Sequence, residues 1–198
     1  RGFRDEFNDS TIDTSFWTTA GSVVETGGKA VLTGANGTCN MTGIDNYELG
    51  ATLEFLGNCP RTTLSSHALG FYVYNGSVDR YMAFANAWNE NSNIKIYYKG
   101  DNNTLVNFDT GIAAGSTQRT FKIDWTTARP KFYIDGSLVY TATTDFTNNA
   151  TLQPHIQFGN IYDSGMTCNI DWASITVPGS VTKMILGSKQ AVQRASFY

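Results

Sequence analysis

Apolar and polar residues alternate along most of this chain with the period of a β-strand. In the segment from Tyr47 to Phe55 every second side chain is apolar or aromatic, and Glu48 and Glu54 lie on the opposite face. A period of two predicts a strand with one buried face. Similar runs predict strands at 68–74, 81–88, 94–98, 104–108, 120–125, 131–134, 137–140, 155–161 and 169–177. No segment has a convincing helical period.

Two short turns divide parts of this pattern into hairpins. Gly27-Gly28 separates two apolar runs within 22–32, and Asp135-Gly136 separates 131–134 from 137–140. Gly and Asp tolerate the positive φ that a two-residue hairpin turn requires, and Asp-Gly is one of the strongest short-range hairpin signals. Many short strands joined by turns predict an all-β fold, an antiparallel two-sheet jelly-roll β-sandwich.

Acidic and aromatic segments at the two ends of the chain, 4–8 and 169–177, indicate a first and a last strand that close the sandwich together. We therefore predict one sandwich domain over 1–178 and a short C-terminal tail over 179–198. The tail carries Lys183, Lys189 and Arg194 and no carboxylate. It is interpreted as a linker, an added strand, or an assembly segment that pairs with the sheet edge of another copy.

Composition narrows the function classes. The chain has 198 residues, and its net charge of -3 is too small to indicate a nucleic-acid partner. No apolar run approaches membrane-spanning length, so no membrane span is expected. Six Asn-x-Ser/Thr sequons favour an extracellular or cell-surface glycoprotein. They begin at Asn8, Asn36, Asn40, Asn75, Asn102 and Asn149.

Three cysteines, Cys39, Cys59 and Cys168, allow at most one internal disulfide bond. We predict the pairing Cys39–Cys59, which would join two strand regions early in the chain. A Cys59–Cys168 bond and three reduced, buried thiols are the alternatives. No cysteine–histidine spacing resembles a zinc site.

Three motifs in order resemble the concanavalin A-like lectin and glucanase jelly-roll superfamily, which includes the family-16 glucanases and laminin-G-like modules. Asp5-Glu6-Phe7-Asn8, followed by 12–17 (Ile-Asp-Thr-Ser-Phe-Trp), resembles the opening of such domains. The segments 121–125 and 132–136, with their Asp-Gly turn, resemble its paired strands, and 169–175 resembles its last strand. The resemblance covers about 3–177 and implies the jelly-roll fold.

The same resemblance implies where catalytic and metal-binding residues would lie. Enzymes of the group carry a Glu-x-Asp-x-x-Glu strand, and the chain has no such strand; Glu48 and Glu54 are roughly 20 Å apart along theirs, too far for a catalytic pair. No catalytic residue is therefore assigned. The group often binds Ca²⁺ near its termini, which implies a site at Asp171 with Asp5 or Glu6.

Aromatic residues in the middle strands are the candidate ligand-binding residues, because flat rings stack on sugar faces and their polar tips bond to hydroxyls. The alternative is that these rings belong to the sandwich core. We expect a non-catalytic extracellular module for glycan or cell-surface polysaccharide binding, or for adhesion. A filament subunit assembled from copies of the chain and a glycan-cleaving enzyme with a degenerate motif are the alternatives. The candidate residues are Tyr72, Tyr74, Tyr81, Trp88, Tyr97 and Asn91.

Overall fold

The computed structural model describes residues 2–33, 37–60, 66–74, 79–86, 93–147, 153–160, 167–178 and 183–185. For 37–38, 66–69, 71–74, 79, 153–160 and 183–185 it describes the backbone alone. Regular structure in these ranges is entirely β-strand. Within them, no helix has the length and hydropathy to span a lipid bilayer.

The strands form two sheets, here called sheet I and sheet II. Sheet I has nine strands: β1 (Phe3–Asp5), β3 (Ser22–Thr26), β4 (Lys29–Thr33), β6 (Thr52–Asn58), β11 (Gln118–Asp124), β12 (Lys131–Ile134), β13 (Ser137–Thr141), β15 (Thr167–Thr176) and β16 (Lys183–Ile185). Sheet II has seven: β2 (Trp17–Ala20), β5 (Gly37–Gly43), β7 (Ser66–Tyr74), β8 (Asp79–Asn86), β9 (Asn93–Lys99), β10 (Leu105–Ala113) and β14 (Gln153–Asn160). The predicted all-β sandwich is confirmed.

The first and last strands of the sandwich are neighbours. β1 pairs antiparallel with β15, with Asp5 opposite Ala173. This confirms that the two acidic-aromatic ends close one sheet. The short strand β16, which falls in the predicted tail 179–198, pairs in parallel with the other edge of β1. Part of the tail is therefore an added strand of sheet I, and its role in assembly stays a prediction.

Both predicted hairpins are present. Gly27 and Gly28 have φ of 60° and 76° and connect β3 to β4. Asp135 and Gly136 have φ of 51° and 76° and connect β12 to β13. Positive φ at both central residues is the type I′ geometry, whose twist matches that of the flanking strands.

The core lies between the two sheets and is centred on aromatic rings. Phe84 of β8 contacts Phe121 and Phe132 of sheet I, with ring centroids 5.0 and 5.6 Å apart. Phe55 of β6 stacks on Phe121 at 5.2 Å. All four side chains have no exposed area. They join the sheets because the inner faces of a sandwich interdigitate across a layer about 10 Å thick.

The strand predicted at 47–55 starts later than its alternation suggests. β6 begins at Thr52, because Gly50 adopts a φ of 114° that a strand does not use. Tyr47 and Phe55 are buried as predicted, but Leu49 lies in the turn before the strand and is 44% exposed. The placement of Leu49 on the buried face was therefore wrong.

Candidate functional site

Strand β8 crosses the middle of sheet II and separates a core face from an outer face. Met82 and Phe84 have no exposed area and belong to the core. Because successive side chains of a strand point to opposite faces, Tyr81, Ala83 and Ala85 lie on the outer face. The next strand, β9, has the same alternation, with three core residues, Ile94, Ile96 and Tyr98. Its four outer residues are Asn93, Lys95, Tyr97 and Lys99.

Strand pairing arranges these outer residues in rows that cross the sheet. In one row Gly70 of β7, Ala83, Tyr97 and Asn107 of β10 stand side by side. Residues directly opposite on neighbouring strands have Cβ atoms about 5 Å apart and interact. The centre of the outer face is therefore a floor of small residues, and a tyrosine and an amide stand beside it.

An ion pair lies on the β10 side of this floor. Lys95 Nζ is 3.4 Å from Asp109 Oδ2, and Asn93 Nδ2 donates to Asp109 Oδ1 at 3.0 Å. The backbone N–H of Gly111 also donates to Asp109 Oδ1, at 2.8 Å. Lys99 is opposite Tyr81 on one side and Leu105 on the other. Among the described side chains of β8, β9 and β10, Asp109 is the only carboxylate on the outer face.

Two of the six predicted ligand-binding residues are described on this face. Tyr81 and Tyr97 both lie on it and are half-buried. The backbone of Tyr72 is opposite Tyr81, and Tyr74 is in the same strand, β7. The side chains of these two tyrosines are outside the described set. Trp88 and Asn91 lie outside the described residues altogether. The small floor was missed because residues 81–86 are apolar on both faces. The Lys95–Asp109 pair was also missed.

The two glutamates weighed as a catalytic pair lie away from this face. Glu54 is in β6 of sheet I, on the face away from buried Phe55 and directly opposite Lys122. Glu48 is exposed in the turn before that strand. Neither glutamate is on sheet II, so they cannot act together on a ligand bound there.

The three carboxylates predicted to share Ca²⁺ have separate protein partners. Asp5 is buried and accepts hydrogen bonds from Phe7 N at 3.0 Å and Trp17 Nε1 at 2.9 Å. Glu6 pairs with Arg4, and Asp171 lies 3.1 Å from Lys29 Nζ. No group of three His, Cys, Asp or Glu residues in the described ranges is arranged to hold a metal. In this structure these residues are therefore not arranged to share a calcium ion.

Asp5 instead belongs to a polar cluster that anchors the loop after β1. Glu25 of β3 is buried and accepts hydrogen bonds from the backbone N–H groups of Asp9 and Ser10, both at 2.7 Å. Burial raises the pKa of Asp5, and the nearby charges of Asp13 and Asp9 add to the shift. Burial likewise raises the pKa of Glu25. The cluster therefore ties the loop to β3 through carboxylates that are costly to ionise.

We expect the free energy of unfolding to rise as pH falls through the raised folded-state pKa of Asp5 toward its unfolded value of 3.8. A carboxyl group whose folded-state pKa is raised binds more protons in the folded protein than in the unfolded chain. Its stabilising contribution is complete below its unfolded pKa, 3.8 for Asp5, and is lost as pH rises through the folded-state pKa. Urea titrations at several pH values measure the slope. In Asp5→Asn the slope should be shallower, and an unchanged slope would contradict this assignment.

The three cysteines are free and buried, so the predicted Cys39–Cys59 bond is not formed in this structure. Cys39 Sγ donates to Ser22 O at 3.0 Å, and Cys168 Sγ lies 3.6 Å from Asn58 O. Burial raises the pKa of all three thiols. Each thiol is held as a protonated core side chain.

The sequons divide between described and undescribed residues. Asn8 and Asn102 are exposed. Asn40 is half-buried in β5, between buried Cys39 and Met41, so it points to the outer face of sheet II. Asn36, Asn75 and Asn149 lie outside the described residues. Occupancy of these sites by glycans stays a prediction.

Comparison with known proteins finds one family whose sequence model matches part of the chain. The sequence model of the glycosyl hydrolases family 16 matches residues 82–178, which is just under half of the chain. No curated protein sequence matches. The matched residues include β9, β10 and the part of β8 from Met82 onward, so Tyr81 lies just outside the match.

Solved structures are similar over most of the chain. A glycoside hydrolase family protein of Mycobacterium thermorestibile has a TM-score of 0.70 at 14% identity, covering 88% of this chain and 99% of its own. For the Bacillus licheniformis beta-glucanase the values are 0.67, 16%, 88% and 97%. For a pseudo beta-1,3-glucanase of Mycobacterium tuberculosis they are 0.69, 12%, 88% and 98%. The chain therefore has the jelly-roll β-sandwich fold that these structures share.

Proposed function

We propose that this chain is a non-catalytic module that binds a polysaccharide on the outer face of sheet II. The observation that carries the proposal is the set of outer-face residues along β8, which are Tyr81, Ala83 and Ala85. Glycoside hydrolysis by the common mechanisms needs two carboxyl groups on either side of the scissile bond. The described outer side chains of β8 are one half-buried tyrosine and two buried alanines, the side chain of Asp79 is outside the described set, and the nearby Asp109 is already paired with Lys95.

The same face has the chemistry of a sugar-binding surface. Gly70 and Ala83 put no bulky side chain in the row of Tyr97, and both residues are buried in this structure. An aromatic ring packs on the apolar face of a pyranose, and its hydroxyl adds a hydrogen bond. Asn107 stands directly opposite Tyr97, and an amide side chain carries both donor and acceptor groups of the kind that sugar hydroxyls bond.

The proteins of similar structure include both a beta-glucanase and a pseudo beta-1,3-glucanase. The fold by itself therefore does not decide between cleavage and binding, and the proposal depends on the outer side chains. A binding module of this kind would act at a cell surface or in an extracellular matrix. The exposed sequons at Asn8 and Asn102 support that location.

Replacing Tyr97 with alanine is expected to weaken polysaccharide binding about tenfold, or about 1.4 kcal/mol, because the stacking surface is lost. The matched control is Tyr133→Ala, which removes a half-buried tyrosine from the outer face of sheet I. Isothermal titration against a panel of polysaccharides measures both variants. An equal loss of affinity in the two variants would show that the binding site is not on sheet II. Absence of polysaccharide binding by the unaltered chain would refute the proposal.

A turnover assay on the same panel tests the alternative of a glycan-cleaving enzyme. The proposal expects no release of reducing ends from any polysaccharide that binds. Turnover that persists in Glu54→Gln but disappears in Asp109→Asn would assign catalysis to the outer face of sheet II. Sustained turnover of any polysaccharide in the panel would contradict a purely binding function.

A further inference from the structure

Among the described outer-face side chains of β9 and β10, two are lysines and one is a carboxylate. Lys95 and Lys99 are donors only, since an ammonium group has three N–H bonds and no lone pair. The one described carboxylate of β8–β10 on this face, Asp109, already accepts from Lys95, Asn93 and the backbone of Gly111. Sugar hydroxyls of a neutral glycan need acceptors as well as donors, and this described carboxylate is already engaged by protein donors.

Lys99 differs in its surroundings from the other lysines whose side chains are described. Lys29 and Lys95 form ion pairs with Asp171 and Asp109. On sheet I, the residues directly opposite two further lysines are acidic: Glu54 is opposite Lys122, and Asp124 is opposite Lys131.

The cross-strand neighbours of Lys99 are Tyr81 and Leu105, which carry no charge. No described carboxylate lies within ion-pair distance of Lys99. The Lys95–Asp109 pair is internally neutral. The described part of the outer face on β8, β9 and β10 therefore has a local excess of one positive charge, in a chain whose net charge is -3.

We propose that the ligand of this face is an anionic polysaccharide, one whose repeating unit carries a carboxylate or a sulfate. This inference depends on the proposed binding function and specifies its ligand class. The anionic group pairs with Lys99, while the sugar ring lies on Tyr97 or Tyr81. Tyr81 is in the same cross-strand row as Lys99, and Tyr97 is in the next row along these two strands. A charge-assisted hydrogen bond is about twice as strong as a neutral one, so Lys99 sets the preference.

The test uses three pairs of probes that share a backbone and differ in charge. They are β-1,3-glucan and its carboxymethyl derivative, methyl-esterified and free polygalacturonate, and chondroitin with and without sulfate. We expect the charged member of at least one pair to bind about tenfold more tightly, which matches one hydrogen bond to a charged group. Raising NaCl from about 50 mM to about 500 mM should erase that preference, because salt screens exposed charges.

Variants assign the preference to one side chain. Lys99→Gln should remove the preference for the charged member and leave affinity for the neutral member within about twofold. Lys131→Gln makes the same charge change on sheet I and should change neither. Asp79 lies two residues before Tyr81 on β8, and its side chain is outside the described set, so the variant Asp79→Asn is tested as well. Its preference for the charged probe should equal or exceed that of the unaltered chain.

The outcomes separate this inference from the function beneath it. Neutral members that bind as well as charged members overturn the anionic ligand and leave polysaccharide binding in place. A charge preference that survives Lys99→Gln overturns the role of Lys99. Absence of binding to all six probes overturns the inference and the proposed function together.

Discussion

Replacing Phe84 with alanine is expected to lower the free energy of unfolding by about 3–5 kcal/mol. Phe84 is fully buried at the point where sheet II meets sheet I, and its ring contacts those of Phe121, Phe132 and Phe55. Truncation loses the transfer free energy of the ring and leaves a cavity among rigid aromatic neighbours that cannot collapse fully. Chemical denaturation with urea measures the change.

Phe108 provides the matched control for this prediction. Its ring packs on Tyr140 with centroids 4.7 Å apart, but it lies in β10 at the edge of sheet II and is 37% exposed. Phe108→Ala should therefore cost about 1–2 kcal/mol, less than the Phe84 effect. A cost for Phe84→Ala no greater than for Phe108→Ala would mean that the aromatic cluster does not hold the two sheets together.

Replacing Gly70 with alanine is expected to cost about 1–3 kcal/mol and to weaken ligand binding as well. A Cβ at this position would stand 2.2 Å from Met82 O and 2.6 Å from Ala83 Cα. Both atoms belong to the backbone of β8, which cannot rotate away. The two central strands of sheet II would have to separate beneath the candidate binding face. Urea denaturation and polysaccharide titration measure the two effects.

Gly115 provides the matched control for the Gly70 substitution. A Cβ at Gly115 would have no atom within 4 Å. Gly115→Ala should therefore leave stability within about 0.5 kcal/mol of the unaltered chain or raise it slightly, since alanine restricts the unfolded chain. Equal costs at the two glycines would show that the close approach of β7 and β8 is not maintained in solution.

Strands with a strong local pattern could be predicted from the sequence, and strands without one could not. The hairpins at Gly27-Gly28 and Asp135-Gly136 could be predicted because these residues favour the tight turn that a hairpin requires. The strand β5, Gly37–Gly43, was missed, because Cys39 and Met41 are its only apolar residues and glycines bound it. It is a strand because β14 and β2, both distant in sequence, supply its hydrogen bonds. Propensity carries no information about such partners.

The candidate site was predictable in its aromatic residues but not in its arrangement. Tyr81 and Tyr97 were identified as possible ligand residues, and the structure places both on one face. In residues 81–86, however, apolar side chains occupy both faces, so alternation cannot distinguish the floor residue Ala83 from the core residue Phe84. The outer face follows only from which side of β8 packs on sheet I. The calcium site at Asp5, Glu6 and Asp171 stays a prediction, and each of these carboxylates has a separate protein partner in the structure.

The three buried cysteines can report local opening of the fold through their rates of chemical labelling. A thiol-modifying reagent attacks the thiolate, and Cys59 and Cys168 are buried with raised pKa values. Labelling therefore has to wait for a fluctuation that admits water to the core. Cys168 lies within β15 of sheet I, whereas Cys39 lies within β5 of sheet II. Their separate labelling rates would time the loosening of the two sheets independently, without any engineered probe.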